Sequence, residues 1–262
     1  MTTVPGLSLG CPTSPPRSAH IRTSGGSTCH TLLMSEPMSD SMSEPMSNRP
    51  ARSSARDLLE LILGYGLILF CLWMPEFPQR ILSPLALLVT LAMVLARRPS
   101  LDDLGMGRRG LASSFWILPA AILVMLASVL VAKQIGTLHS LYKGDFKHIT
   151  GYILWTLYQQ FLLNDLFMPR LTRLLASESA AVGMAAMLFA AAHLPNLPLT
   201  AATLIWGAVS CALYRRYRNL YALGLAQGLL GLCFAVCVPD SLHHHLRVGL
   251  GYLRYHPTQP VP

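Results

Sequence analysis

Charge is what this chain has least of. Only 12% of its 262 residues are Asp, Glu, Lys or Arg, against about 25% in a soluble globular domain. Acidic residues are the scarcer kind, 12 against 20 Lys and Arg, which leaves a net charge of +8. With 52% hydrophobic residues, a mean hydropathy of +0.45 and apolar runs near the bilayer-crossing length, this composition excludes an ordinary soluble domain. It points to a polytopic membrane protein, with the lipid bilayer as its first partner. A cysteine framework is missing too. Cys11, Cys29, Cys71, Cys211, Cys233 and Cys237 form no CxxC pair and no dense pattern, so neither structural disulfides nor a zinc-finger site is implied. Cys233 and Cys237, one helical turn apart, read as small packing residues. Nucleic acid is excluded as a partner, because the basic residues sit in short clusters between apolar runs, as the positive-inside rule expects.

Residues 1–56 lack bulky apolar side chains and are rich in Pro, Ser, Thr and Met, with MSEPMS repeated at Met34–Ser39 and Met42–Ser47. Such a segment cannot bury a core and is expected to be a disordered arm; it has no apolar core of a signal peptide. A membrane-embedded domain is expected over 57–238, as an all-α bundle of about seven transmembrane helices at 58–75, 81–97, 112–132, 149–169, 178–194, 198–214 and 219–238. With the N-terminus inside, the inner segments carry twelve Lys and Arg and the outer ones six. That bias predicts a cytoplasmic N-terminus and an external C-terminus, and the expected location is a bacterial inner (plasma) membrane. Residues 239–262 read as an interfacial tail. Leu242, Leu246, Leu250 and Leu253 recur there at helical spacing, and His243, His244 and His245 read as a solvated cluster.

The fourth stretch, ITGYILWTLYQQFLLNDLFMP, carries Gln159, Gln160, Asn164 and Asp165. Polar groups at that depth are costly in lipid, so they should face protein or a water-filled cavity. Thr156, Gln160 and Asn164 recur every four residues and predict one polar stripe. Asp165 points about 100° round the helix and is expected to reach Arg170 or the membrane interface. Ala186 and Ala190, and the pair Gly224 and Gly228, predict close helix packing at small residues. The same two stretches carry the other deep polar side chains, His193 and Gln227. Trp206 and Tyr221 read as packing or interfacial aromatics, and His139 and His148 as surface histidines.

Several local patterns add to this polar set: the loop RRPSLDDLGMGRRG, the run FAAAHLPN with Phe189 one turn before His193, the link YRRYRNL, and ALGLAQGLLG. Their order and spacing over roughly residues 81–235 resemble the CPBP family of intramembrane metalloproteases, which includes CAAX prenyl endopeptidases and bacteriocin-processing proteins. The resemblance implies catalytic positions at Gln159 and Gln160 (paired glutamates in the family), Asn164 (arginine), His193 (intact, with Phe189), Gln227 (a second histidine) and Gly231 (asparagine). It also implies a zinc or other divalent ion, with His193 as its one matching ligand. A family member would hydrolyse a membrane-proximal or CAAX-like peptide through a metal or a carboxylate-activated water. Glutamine cannot take and return the proton of that water, and Gln227 offers zinc only a hard amide oxygen. Two readings therefore stay open: a weakened or inactive metalloendopeptidase-like protein, and a non-catalytic scaffold that binds a membrane partner in the inherited groove.

Overall fold

The computed structural model describes residues 51–255 apart from 109, 142 and 143. The stretch 1–50 of the expected arm and the last seven residues of the tail lie outside these residues. Every regular element among the described residues is a helix. The long ones are α1 (Ala51–Leu72), α2 (Glu76–Leu95), α3 (Ile117–Ile135), α4 (Phe146–Phe161), α6 (Glu178–Ala191), α7 (Leu197–Tyr217) and α8 (Leu220–Cys237). A π-helical turn, Leu162–Phe167, joins α4 to the short α5 (Met168–Leu174), and two further short helices, α9 (Asp240–His243) and α10 (Gly249–Leu253), follow α8. Helix α1 thus starts within the stretch expected to be arm.

Each of the seven expected crossing stretches falls on helix, but not every one of these helices is by itself long and apolar enough to span. Among the described residues four helices, α2, α3, α7 and α8, are long and apolar enough to cross a membrane. The others fall short for separate reasons. Helix α6 has 14 residues, a rise of about 21 Å against a hydrocarbon core of about 30 Å. Helix α4 gives way to the π turn after 16 residues, and the first turns of α1 hold Arg56, Asp57 and Glu60.

Small residues set the packing, as their spacing predicts. Helix α8 lies against α3 and α4, and α6 against α7. A Cβ on Gly224 would stand 2.9 Å from Leu157 Cα of α4, and one on Gly228 would meet Thr156 Oγ1 at 3.2 Å. Across the other contact a Cβ on Gly207 of α7 would stand 3.2 Å from Ala186 Cα of α6. Backbones this close leave no room for a methyl group, so Gly224→Ala is expected to cost about 1–3 kcal/mol by overpacking, read as a lowered thermal midpoint in detergent.

Two polar assemblies hold one end of the bundle. In the first, the loop Asp103–Gly105 docks on the end of α7. Asp103 O lies 3.2 Å from Tyr214 Oη, and Gly105 O accepts from Leu220 N at 2.9 Å. Gly105 has φ +61, and a Cβ there would stand 2.7 Å from the Tyr214 ring, so both conformation and space require glycine. Asn219 caps α8 through Ala222 N and donates to Ser114 Oγ at 2.6 Å.

The second assembly is ionic. Asp57 accepts from Arg97 (2.6 Å) and Arg173 (2.6 and 2.9 Å), and Glu60 accepts from Arg56, Arg97 and Arg170. Arg170 is 1% exposed. Pro169 has no N–H to offer the carbonyl four residues back, Asp165 O, and the Arg170 guanidinium donates to that oxygen at 3.2 Å and to Leu166 O at 2.8 Å. Arg170 also reaches Met93 O at 3.1 Å, which ties α5 to α2.

The tail is not one surface helix. Between α9 and α10 the residues His244, His245 and Leu246 have φ of +50, +54 and +58. This left-handed run breaks the leucine register, leaving Leu242 and Leu253 exposed while Leu246 turns inward against a cavity.

Candidate functional site

The polar stripe divides into two jobs. Thr156, Gln160 and Asn164 are all buried between helices. Thr156 Oγ1 donates to Gly224 O at 2.9 Å, so it bonds α4 to the glycine seam of α8. Gln160 Nε2 donates to Gln227 Oε1 at 2.5 Å, and Asn164 Nδ2 donates to Gln160 Oε1 at 2.8 Å and to Gln160 O at 3.2 Å. Gln159, one residue earlier and about 100° round, lies on the wall of a cavity of about 580 Å³ instead. Its Oε1 accepts from Gln227 Nε2 at 2.5 Å.

Trp206, expected to be a packing or interfacial aromatic, orients this whole chain of amides. Trp206 Nε1 donates to Gln227 Oε1 at 3.1 Å. An indole nitrogen can only donate, so that atom of Gln227 must be the oxygen. Gln160 must then present its NH₂ to the same oxygen and its own oxygen to Asn164, which in turn must offer its NH₂. Gln227 has its NH₂ left for Gln159. One donor settles the direction of four side chains. The signal for it was in the sequence, a tryptophan on the span next to Gln227, but aromatic side chains on apolar helices are common and nothing local marks this one.

His193 lies on the same cavity as Gln159, Trp206 and Gln227. Its Nδ1 is 2.7 Å from Phe189 O, a carbonyl that can only accept, so Nδ1 carries the proton. Nε2 keeps its lone pair, and no described residue bonds to it. The Phe189 ring stands edge-on to the imidazole at 5.0 Å. Where the family pattern has asparagine, Gly231 leaves a space that the Tyr152 hydroxyl fills, standing where a Cβ would be. Tyr152 also lines the cavity.

Asp165 belongs elsewhere. It sits on the π turn, 6% exposed, and its Oδ1 accepts from Tyr214 Oη at 2.5 Å. Its contact with Arg170 runs through its main-chain oxygen, not its carboxylate. The triple histidine does not join His193 either. His243 is buried, at 1% exposed, rather than solvated, and His139 stacks on it at 6.3 Å instead of lying free on the surface. No described contact links His243, His244 or His245 to His193.

The donor set does not fit the divalent ion that the resemblance implies. Catalytic zinc takes three protein ligands, and the cavity offers one imidazole. Gln227 Oε1 already accepts from two N–H groups and Gln159 Oε1 from one. Among the described residues no three His, Cys, Asp or Glu side chains converge on a point that could hold a metal ion.

Comparison with known proteins bears on this geometry. No curated protein and no solved structure matches the chain. The family model described as type II CAAX prenyl endopeptidase Rce1-like matches residues 120–233. That segment runs from α3 to α8 and contains Gln159, Gln160, Asn164, Phe189, His193, Gln227 and Gly231. Together with four helices long and apolar enough to cross a membrane, and with Gln159, His193 and Gln227 on one cavity, this match supports membership of the chain in the CPBP family of CAAX prenyl endopeptidase-like proteins.

Proposed function

We propose that this protein is a CPBP-type endopeptidase-like membrane protein that holds a membrane-associated peptide or protein segment in the cavity without cleaving it. The single observation that carries the reading is the neutral chain Asn164–Gln160–Gln227–Gln159, closed by Trp206. Gln160 and Gln227 spend both ends of their amides on other members of the chain, so the polar groups that would activate water serve to join α4 to α8. General-base catalysis needs a group that accepts a proton and gives it back near neutral pH. The carboxylate nearest in sequence, Asp165, faces Tyr214 and is not among the residues lining the cavity. His193 alone presents a basic atom there. That lone pair favours the second reading, a residual hydrolase in which the imidazole positions water.

Support for the N-terminus-inside orientation comes from how the basic residues gather. Arg97, Arg170 and Arg173 meet around Asp57 and Glu60, and Arg218 lies by Asp103, so the cationic groups expected inside lie at the ends of elements that meet each other. In this reading α1, α4 with α5, and α6 complete about seven crossings of a bacterial inner membrane.

The test is a peptidase assay with metal analysis on the purified protein, on His193→Ala, and on the double variant Gln159→Glu, Gln227→His. Wild type is expected to bind a membrane-anchored peptide and to release no product. Metal-dependent cleavage by the wild type that His193→Ala abolishes would overturn the proposal. Cleavage gained only in the double variant would show that the cavity geometry is intact and that only the chemistry is missing.

A further inference from the structure

The segment from Val238 to Tyr255 crosses one end of the cavity, and Val238, Leu246 and Val248 form part of its wall. Three anchors hold this strap. Asn196, at the head of α7, donates to His243 O at 2.9 Å and to Arg247 O at 3.0 Å. Gly249 N donates to Leu194 O at 2.9 Å. The third is internal, the His243 ring, which bonds on both nitrogens and ties Leu246 to the root of the strap at the end of α8. Nε2 faces Val238 O at 2.9 Å, a carbonyl that can only accept, so Nε2 carries a proton. Leu246 N donates to Nδ1 at 3.1 Å, so Nδ1 must carry a lone pair. Only the neutral imidazole satisfies both.

A second proton would have to sit on Nδ1, where it meets the Leu246 N–H donor to donor. Asp240 Oδ1 is 3.8 Å from the same nitrogen and is the acceptor a charged ring would turn to. Turning that way abandons Leu246, and Leu246 ends a run of three side-chain-bearing residues in the left-handed region. Such residues favour an extended or right-handed backbone once their restraint is gone.

We propose that the Val238–Tyr255 strap is a proton-operated cover over the cavity, shut while His243 is neutral and released when it is protonated. The groups facing His243 agree with this direction. His139, from the loop after α3, stacks on it at 6.3 Å, and His245 lies two residues on, so both add repulsion to a charged ring. Asp240 is the one carboxylate near it, and that carboxylate is already taken up by His245 N (2.7 Å), the His245 ring at Nδ1 (2.6 Å) and Tyr255 Oη (2.7 Å). Helix α8 presents the Phe234 ring at 5.7 Å and α7 presents Asn196, both uncharged. Burial, the largest influence, pushes the His243 imidazole below its ordinary range, against the Val238 carbonyl and Asp240, which raise it. A histidine that is harder to protonate in the closed form leaves closure intact above about pH 6.5. Closure then weakens as pH falls below that value, because the open form binds the extra proton.

The cover rests on reading the cavity as a binding chamber, but its test needs neither ligand nor activity, so the two can fail separately. Amide exchange over 244–249 and peptide-resolved labelling of Cys237, which lines the cavity, are measured on the full chain at about pH 7.5 and 5.5. Each rate is divided by that of His243→Asn, which cancels the intrinsic pH dependence of both reactions. Asparagine keeps an acceptor for Leu246 N and cannot be charged. Wild type is expected to gain up to about tenfold in both ratios at the lower pH, and His244→Asn and His245→Asn are expected to keep that gain. An equal response in wild type and His243→Asn overturns the proposal. Strap exchange that rises without any change at Cys237 overturns the cover while leaving the switch. If His243→Asn fails to fold, the wild type alone decides, since no acid step in its strap exchange, corrected for intrinsic rates, refutes the mechanism.

Discussion

Arg170→Met is expected to lower the unfolding free energy by about 3–5 kcal/mol, the range for breaking a buried ion pair from one side. The side chain is 1% exposed and serves α1, α2 and the π turn together, through Glu60, Met93 O, Asp165 O and Leu166 O. Methionine fills much of the same volume but leaves three main-chain oxygens and part of Glu60 without their donor. Arg170→Lys keeps the charge and loses the fork, so it should recover only part of the deficit. Denaturant unfolding in mild detergent reads both variants. A loss under about 1 kcal/mol for Arg170→Met would mean the cluster behaves as a surface ion pair. The cluster also predicts acid sensitivity. Burial pushes the Asp57 carboxyl up, but hydrogen bonds and charge from Arg173 and Arg97 outweigh it and hold the group below its ordinary range. A carboxylate depressed in the folded state contributes stability that is present above about pH 4 and lost as pH falls through the lower folded value.

Gln160→Glu should be the most damaging change within the site, at about 3–5 kcal/mol, although it restores the family's residue. Gln160 is fully buried and gives its NH₂ to Gln227 Oε1 at 2.5 Å. A carboxylate there sets acceptor against acceptor and puts an unpaired charge in a dry interior. Gln160→Met removes the polar group without a charge. Gln227 Oε1 keeps Trp206 and Asn164 keeps the Gln160 carbonyl, so about 0.5–1.5 kcal/mol is expected. Gln159→Glu should be tolerated best, because Gln159 lines the cavity. Thermal unfolding of the three variants gives the order, and a methionine variant less stable than the glutamate one would contradict the neutral network.

That contrast marks the boundary between what was legible in the chain and what was not. Composition alone determined a helical membrane protein, because a chain this apolar and this poor in charge can satisfy its backbone in lipid only as helices or a closed barrel, and the runs are of helical length. Spacing alone determined the seams at Gly224, Gly228 and Ala186, since a helical period brings small residues to one face wherever the helix sits. The motif order pointed to the family whose model matches residues 120–233.

Tertiary structure decided the roles. Gln159 and Gln160 are chemically identical neighbours, and only the rotation of α4 against α8 puts one on the cavity and the other in the seam. Trp206 became the donor that orients four amides through a partner on another helix. Asp57 and Glu60 found Arg173 and Arg170 at separations of 116 and 110 residues, pairings that no local pattern contains. Pro169 and the π turn redirected Asp165 towards Tyr214. The left-handed run after α9 turned a row of leucines into a strap. In each case the periodicity of one helix says which residues share a face, and the packing of several helices says what that face meets.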